Sequence, residues 1–269
     1  MEQKERRNYL LSGLLNEQPQ YQSIEIPRDV QAQKKLLRAL FNVRMPKMVS
    51  DEFLKVQDDY LREELSKKGI VEISDLQPLQ KGIYLWQGDI TRLKADAIVN
   101  AANSGMTGCY QPNHACIDNC IHTFAGIQLR LECARIMEEQ GFPEPTGQAK
   151  ITPGYNLPCK YVLHTVGPIV SSTAFGSKSP TPEHCKLLAS CYRSCMELAE
   201  KNHCSSIAFC CIGTGVFCFP KKKAAEIAVR TVKEYREKTG SEMEVIFNVF
   251  TDEDHEIYHS LLEGNLPPA

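Results

Sequence analysis

The chain has 269 residues, 42% hydrophobic and 24% charged, enough apolar material for one large soluble core or for a medium domain with an extension. A net charge of −2 excludes the broad basic field of a general nucleic-acid binder. Met1–Arg7 carries no apolar signal core, and the longest apolar runs, such as 206–212, are far too short to cross a bilayer. A cytoplasmic protein with neither a membrane nor a nucleic-acid partner is expected.

The first hundred residues differ in composition from the rest, because all twelve cysteines and all seven histidines lie at position 109 or later. In a reducing compartment the cysteines are expected as thiols. Residues 31–43 place Leu36, Leu37, Leu40 and Phe41 on one helical face. Ser50, followed by Asp51 and Glu52, starts a second helix that carries Leu54, Leu61 and Leu65 and stops at Gly69. Two amphipathic helices cannot bury both their faces alone. They are expected to form an N-terminal helical extension, residues 1–75, that packs as an appendage or a lid on a main domain, residues 76–269.

From residue 80 the pattern alternates. Strands are predicted at 82–87, 95–100, 147–152, 161–166, 206–212 and 243–250, and helices at about 114–139, 183–201, 220–238 and 253–262. Ala224, Ala225, Ala228, Val229 and Val232 form a stripe that should face a sheet. Cys191 and Cys195 fall at helical spacing with Leu187, Leu188 and Leu198, and Cys210 and Cys211 sit in an apolar strand, so core packing is expected for these thiols. Near-continuous apolar strands alternating with helices indicate an α/β, three-layer sandwich. Such sheets bind ligands at the carboxyl ends of their strands. That rule selects Gln87–Asp89, Asn100–Ser104, Thr165–Pro168, Ile212–Phe217 and Asn248–Asp252.

Three of these segments, and the loop and helix start that follow the second, have candidate chemistry. Asp89, in Gly88-Asp89-Ile90-Thr91, can accept a hydrogen bond from an amino group such as that of adenine, or can simply cap a turn. Cys109-x4-His114-x-Cys116 places three soft donors on one loop, a set suited to zinc. Cys120 and His122 are near enough to close such a site; otherwise its fourth position is open, and free thiols without metal are the bland alternative. Asp118, at the start of the following helix, is either a cap or a group that orients water, and Asn103 can hold a sugar hydroxyl. Gly213-Thr214-Gly215-Val216-Phe217 lets backbone amides approach a diphosphate, but lacks the Lys and Ser/Thr of a nucleotide triphosphatase loop.

Together, Gly88–Thr91, Ala95–Ser104, Ile117–His122, Thr146–Thr152, His164–Pro168 and Ile212–Phe217 make residues 82–262 resemble the macrodomain family of ADP-ribose binders and hydrolases. Where those hydrolases carry a glycine run after the Asn-Ala-Ala-Asn turn, this chain has Gly108–Cys116, which resembles the zinc-dependent bacterial subclass with a helical N-terminal extension. The resemblance implies an α/β/α macrodomain with a mixed sheet. It implies that Asp89 and Ile90 contact adenine, that Gly213, Thr214, Gly215, Val216 and Phe217 wrap the diphosphate and distal ribose, and that Asn103 holds that ribose. Cys109, His114 and Cys116 would bind Zn2+, and Asp118 matches a catalytic aspartate of the non-zinc hydrolases. The implied activity is removal of mono-ADP-ribose from protein side chains, with Asn103 and Asp118 aligning the attack. The alternatives are an ADP-ribose-binding module without turnover and an O-acetyl-ADP-ribose deacetylase. A lipoyl-carrier protein as substrate and a sirtuin-type transferase as counterpart are implied by the subclass alone.

Overall fold

The computed structural model describes residues 1–170 and 179–264. Its polar opening leads into a helix that the sequence reading does not contain, α1 (Gln3–Asn16), whose Leu10, Leu11, Leu14 and Leu15 share one buried face. The two expected helices follow as α2 (Val30–Val43) and α3 (Asp51–Lys68). Asp29 caps α2 by accepting from the Ala32 amide at 2.7 Å, and Ser50 caps α3 by accepting from the Phe53 amide at 3.2 Å. The three helices bury a cluster that includes Leu37, Phe41, Phe53 and Leu61, and Ile127 of the main body joins it.

Two short strands, β1 (Val71–Glu72) and β2 (Pro78–Gln80), lead to β3 (Ile83–Gln87), β4 (Leu93–Lys94) and β5 (Ala97–Ala102). After α4 (Ile117–Ala125) and α5 (Ile127–Gln140) come β6 (Ala149–Pro153), β7 (Tyr161–Val166), α6 (Pro182–Lys201), β8 (Ser206–Phe209), α7 (Lys221–Thr239), β9 (Glu244–Val249) and α8 (Asp252–Leu262). Strand β1 pairs with β4. The main sheet has the order β2-β3-β9-β8-β5-β7-β6, parallel except for the antiparallel edge strands β2 and β6. It is therefore mixed.

Alternation along the strands separates the two outer layers. Asn100 of β5 and His164 of β7, which are register partners, reach Asp118 of α4 and Cys133 of α5. Thr165, next in β7, points the other way, toward Cys191 of α6, whose Sγ donates to the Val166 carbonyl at 3.4 Å. Cys191 and Cys195 are fully buried, as their spacing predicts, and so are Ala228, Val229 and Val232 of α7.

Two elements differ from the sequence reading by more than two residues at a boundary. The single helix predicted at 114–139 is two helices, broken at Gly126, whose φ is +98°. A side chain there would meet Gln57 Nε2 and Gln128 Oε1 at 2.6 Å, so α3 and α5 close on a position only glycine fills. Residues 114–116 consequently belong to a loop. The strand predicted at 206–212 ends at Phe209, which leaves Cys210 and Cys211 just beyond it.

Candidate functional site

Five parallel strands end along one rim of the sheet, and the loops after β3, β5, β7, β8 and β9 gather there. Asp89 caps a single helical turn: its Oδ1 accepts from the Thr91 amide at 3.0 Å and hydroxyl at 2.6 Å. Oδ2 stays on the outer side, 4.0 Å from Lys68 Nζ at the end of α3. The cap and the binding reading therefore use different oxygens. Ile90 is only 1% exposed, so its side chain is core and only its backbone is available to a ligand.

Asn103 and Asp118 are brought together. Asn103 Nδ2 donates to Asp118 Oδ2 at 3.2 Å and to the Gly108 carbonyl at 3.1 Å, while its Oδ1 accepts from the Gly105 amide. Asn100 Nδ2 donates to Asp118 Oδ1 at 2.8 Å. Asp118 is 5% exposed, and burial pushes its pKa up to about 6 against the opposing pull of Asn100, Arg130 and Asn103.

Cys109, His114 and Cys116 converge from the loop that joins β5 to α4, with their ligand atoms within 4.8 Å of one another. Cys109 Sγ lies 3.5 Å from His114 Nδ1. Cys116 is the cap residue of α4 and accepts from the Asn119 amide at 3.4 Å; as a free thiol, burial holds it up at about 12. The donor set, two sulfurs and an imidazole at this mutual spacing, fits a tetrahedral zinc with one position left over. Neither residue considered for closing the site joins the trio. Cys120 Sγ accepts from Arg38, and His122 is buried beneath Gly108, grouped with Cys133 and His164. Burial keeps both imidazoles, His122 and His164, neutral by lowering their pKa values.

The loop Gly213–Phe217 follows β8. Gly213 has φ +79°, and the Phe219 amide returns to its carbonyl at 2.9 Å, closing a tight turn. Among the described residues the amides of Gly215, Val216 and Phe217 have no protein acceptor. Val216 is 71% exposed, and Phe217 is held against the loop after β7 through its carbonyl, which accepts from the Val170 amide. Free amides on a glycine turn beside open surface suit an anion.

Several residues of the site escape sequence reasoning. Asn100 was selected with its strand end but given no role; its signal is an amide inside an apolar strand, which must be paired when buried. Arg38, Asn42, Lys68 and Arg130 carry none, because each reaches the site from a distant segment.

A macro domain family model matches residues 99–228. Protein-ADP-ribose hydrolase from Treponema medium is 58% identical over 266 residues, covering 97% of this chain and all of that protein. The chain belongs to the macro domain family. Protein-ADP-ribose hydrolase from Staphylococcus aureus (strain MSSA476) is 48% identical over 95% of this chain and 94% of its own length. Among solved macro domains, the Trypanosoma brucei macrodomain in complex with ADP-ribose superposes with a TM-score of 0.63 at 31% identity, covering 84% of this chain and 94% of that one. The Oceanobacillus iheyensis macrodomain with ADP gives a TM-score of 0.60 at 32% identity over 70% of this chain and 94% of its own. The macro domain match begins inside β5, so α1, α2 and α3 lie outside it.

Proposed function

We propose that this macro domain is a zinc-dependent enzyme that removes mono-ADP-ribose from protein side chains. The observation that carries this reading is the adjacency of the Cys109–His114–Cys116 trio to the Asn103–Asp118 pair: Asn103 touches Asp118 on one side and the carbonyl of Gly108, the residue before Cys109, on the other. The protein-ADP-ribose hydrolase activity for which the relatives are named, at 48% to 58% identity over nearly the whole chain, supports the hydrolytic part.

Asp89 Oδ2 would accept from the adenine amino group. The amides of Gly215, Val216 and Phe217 would receive the diphosphate, and the distal ribose would lie between that loop and Asn103. Bound zinc supplies a Lewis-acidic charge at the distal end of this row. Asn100 and Asn103 fix the plane of the Asp118 carboxylate by one hydrogen bond to each oxygen. In that orientation Asp118 takes a proton from water as the water oxygen bonds to the anomeric carbon and the bond to the side-chain oxygen of the modified protein breaks. Burial raises the pKa of this carboxylate, which makes it a better proton acceptor than an exposed aspartate. An acidic side chain leaves as its carboxylate and needs no proton of its own.

One observation favours a second reading. Asp118 is deeply buried with both oxygens already paired, which also suits a structural carboxylate in a module that binds ADP-ribose without turnover. Release of ADP-ribose from a mono-modified acidic side chain, on a lipoyl-carrier protein as the first substrate tried, separates the two. Asp118→Asn keeps the side-chain volume but sets its amide nitrogen against Nδ2 of Asn100 or Asn103, and is expected to lower kcat by about 10²-fold or more with little change in ADP-ribose affinity. Cys116→Ala is expected to abolish stoichiometric zinc and to depress release similarly. Undiminished release by Cys116→Ala without zinc would remove the metal from the reading. Faster turnover of O-acetyl-ADP-ribose than of modified protein would replace the substrate.

A further inference from the structure

We propose that helix α2 is the brace of the metal loop, with Arg38 and Asn42 as positioning residues that hold His114 toward Cys109 and Cys116; this rests on the zinc reading above. Both residues lie one turn apart on the face of α2 that meets α4. Arg38 Nη2 donates to the His114 carbonyl at 2.8 Å, to Asn119 Oδ1 at 2.9 Å and to Cys120 Sγ at 3.4 Å. Asn42 Oδ1 accepts from the Asn113 amide at 2.9 Å, and its Nδ2 donates to Thr123 Oγ1 at 2.9 Å. The histidine is thereby gripped on both sides, at the amide of the residue before it and at its own carbonyl.

The loop needs that grip. Asn113 has φ +55°, a left-handed backbone that Asn tolerates better than most residues but that still costs some free energy, which the hydrogen bond from its amide to Asn42 offsets. The remaining anchors converge on the same stretch. Asn119 Nδ2 donates to the carbonyls of Cys109 and Gln111 at 3.3 and 3.0 Å, and Arg38 fixes the orientation of that amide through its oxygen. Arg130 Nε donates to the Thr107 carbonyl at 2.7 Å, while its Nη1 donates to the carbonyls of Phe41, Asn42 and Arg44 at the end of α2. One arginine thus ties the start of the metal loop to the helix that holds its end. Groups that orient metal ligands without touching the metal typically tune affinity by about 10- to 100-fold.

The test uses the full-length protein, stripped of metal, with the zinc dissociation constant read by competition against a chromophoric chelator. Arg38→Met and Asn42→Ala are each expected to raise that constant by about 10- to 100-fold. Arg38→Lys is expected to recover part of the loss, because all three contacts leave from a single nitrogen that an ammonium can replace. Gln33→Ala serves as the structural control: it sits in the same helix, buried and bonded to Arg7 and the Pro27 carbonyl, and touches nothing in the loop. It is expected to lower the melting temperature and leave zinc affinity unchanged. Wild-type affinity in both Arg38→Met and Asn42→Ala, or an equal loss in Gln33→Ala, overturns the brace while the zinc reading stands. If the wild type itself binds no zinc, or Cys116→Ala binds it equally well, the zinc reading fails and the brace with it. Should Asn42→Ala unfold, Arg38→Met, at a half-buried position, decides alone.

Discussion

Gly108 shows how tightly single residues set the site. Its φ is +85°, and a Cβ there would lie 2.7 Å from Cγ of His122, a ring that is itself buried and cannot retreat. Its carbonyl is one of the two acceptors of Asn103 Nδ2. Gly108→Ala combines left-handed strain with a clash against a fixed ring and is expected to destabilise the protein by about 3 kcal/mol. Denaturant unfolding reads the loss, and Asn103 should lose its hold on Asp118 in the same variant, seen as a fall in kcat. Neither the left-handed backbone nor the ring above it is visible in Thr107-Gly108-Cys109, where the glycine reads simply as loop. The convergence of Cys109, His114 and Cys116 was legible, because Cys and His among Gly, Pro and Asn have no apolar stripe to explain them. Cys120 and His122 show the limit: sequence proximity made them candidate ligands, and helical phase sent one to Arg38 and the other into the core.

At the scale of elements, the strands that build the rim were the most readable part, since parallel strands covered on both faces are apolar runs. Helix α1 was missed because its polar first turn masks four leucines that matter only against α2 and α3. Gly126 was passed over for a related reason: its neighbours in sequence favour a continuous helix, and the obstacle, Gln57, comes from α3. Contacts between α1 and the other two helices are expected to carry much of the extension's stability. Leu11→Ala, at a fully buried position, should cost roughly 3 kcal/mol. If α1 were an idle appendage, the loss would be well under 1 kcal/mol. The hydrogen bonds from α2 to the Cys109–Cys116 loop had no sequence signal, because Arg38 and Asn42 are ordinary polar residues on a helix whose leucines point elsewhere.

For the whole molecule, two imidazoles sealed in the layer between sheet and helices dictate the response to acid. Burial lowers His164 to about 3 and His122 well below its ordinary value. The unfolded chain takes up these two protons near pH 6.5, and the folded chain resists them. Stability from this pair is therefore full above about pH 6.5 and falls as pH drops below it. Melting temperature should begin to fall below pH 6.5, ahead of the carboxylate range, and His164→Gln should flatten that decline. Asp118, whose raised carboxyl takes up a proton in the folded state and opposes this fall, is removed from the comparison by Asp118→Asn; a profile flat down to pH 4.5 in that variant would mean that these rings are not sealed. The gathering of all the ligand-facing loops on one rim has a practical side. The opposite rim, where Ser241 precedes β9, is separated from them by the length of the strands, about 20 Å for six residues. A fluorophore, affinity handle or solid support attached there would leave the mouth unobstructed, so immobilised protein should capture and turn over bulky modified partners as freely as protein in solution.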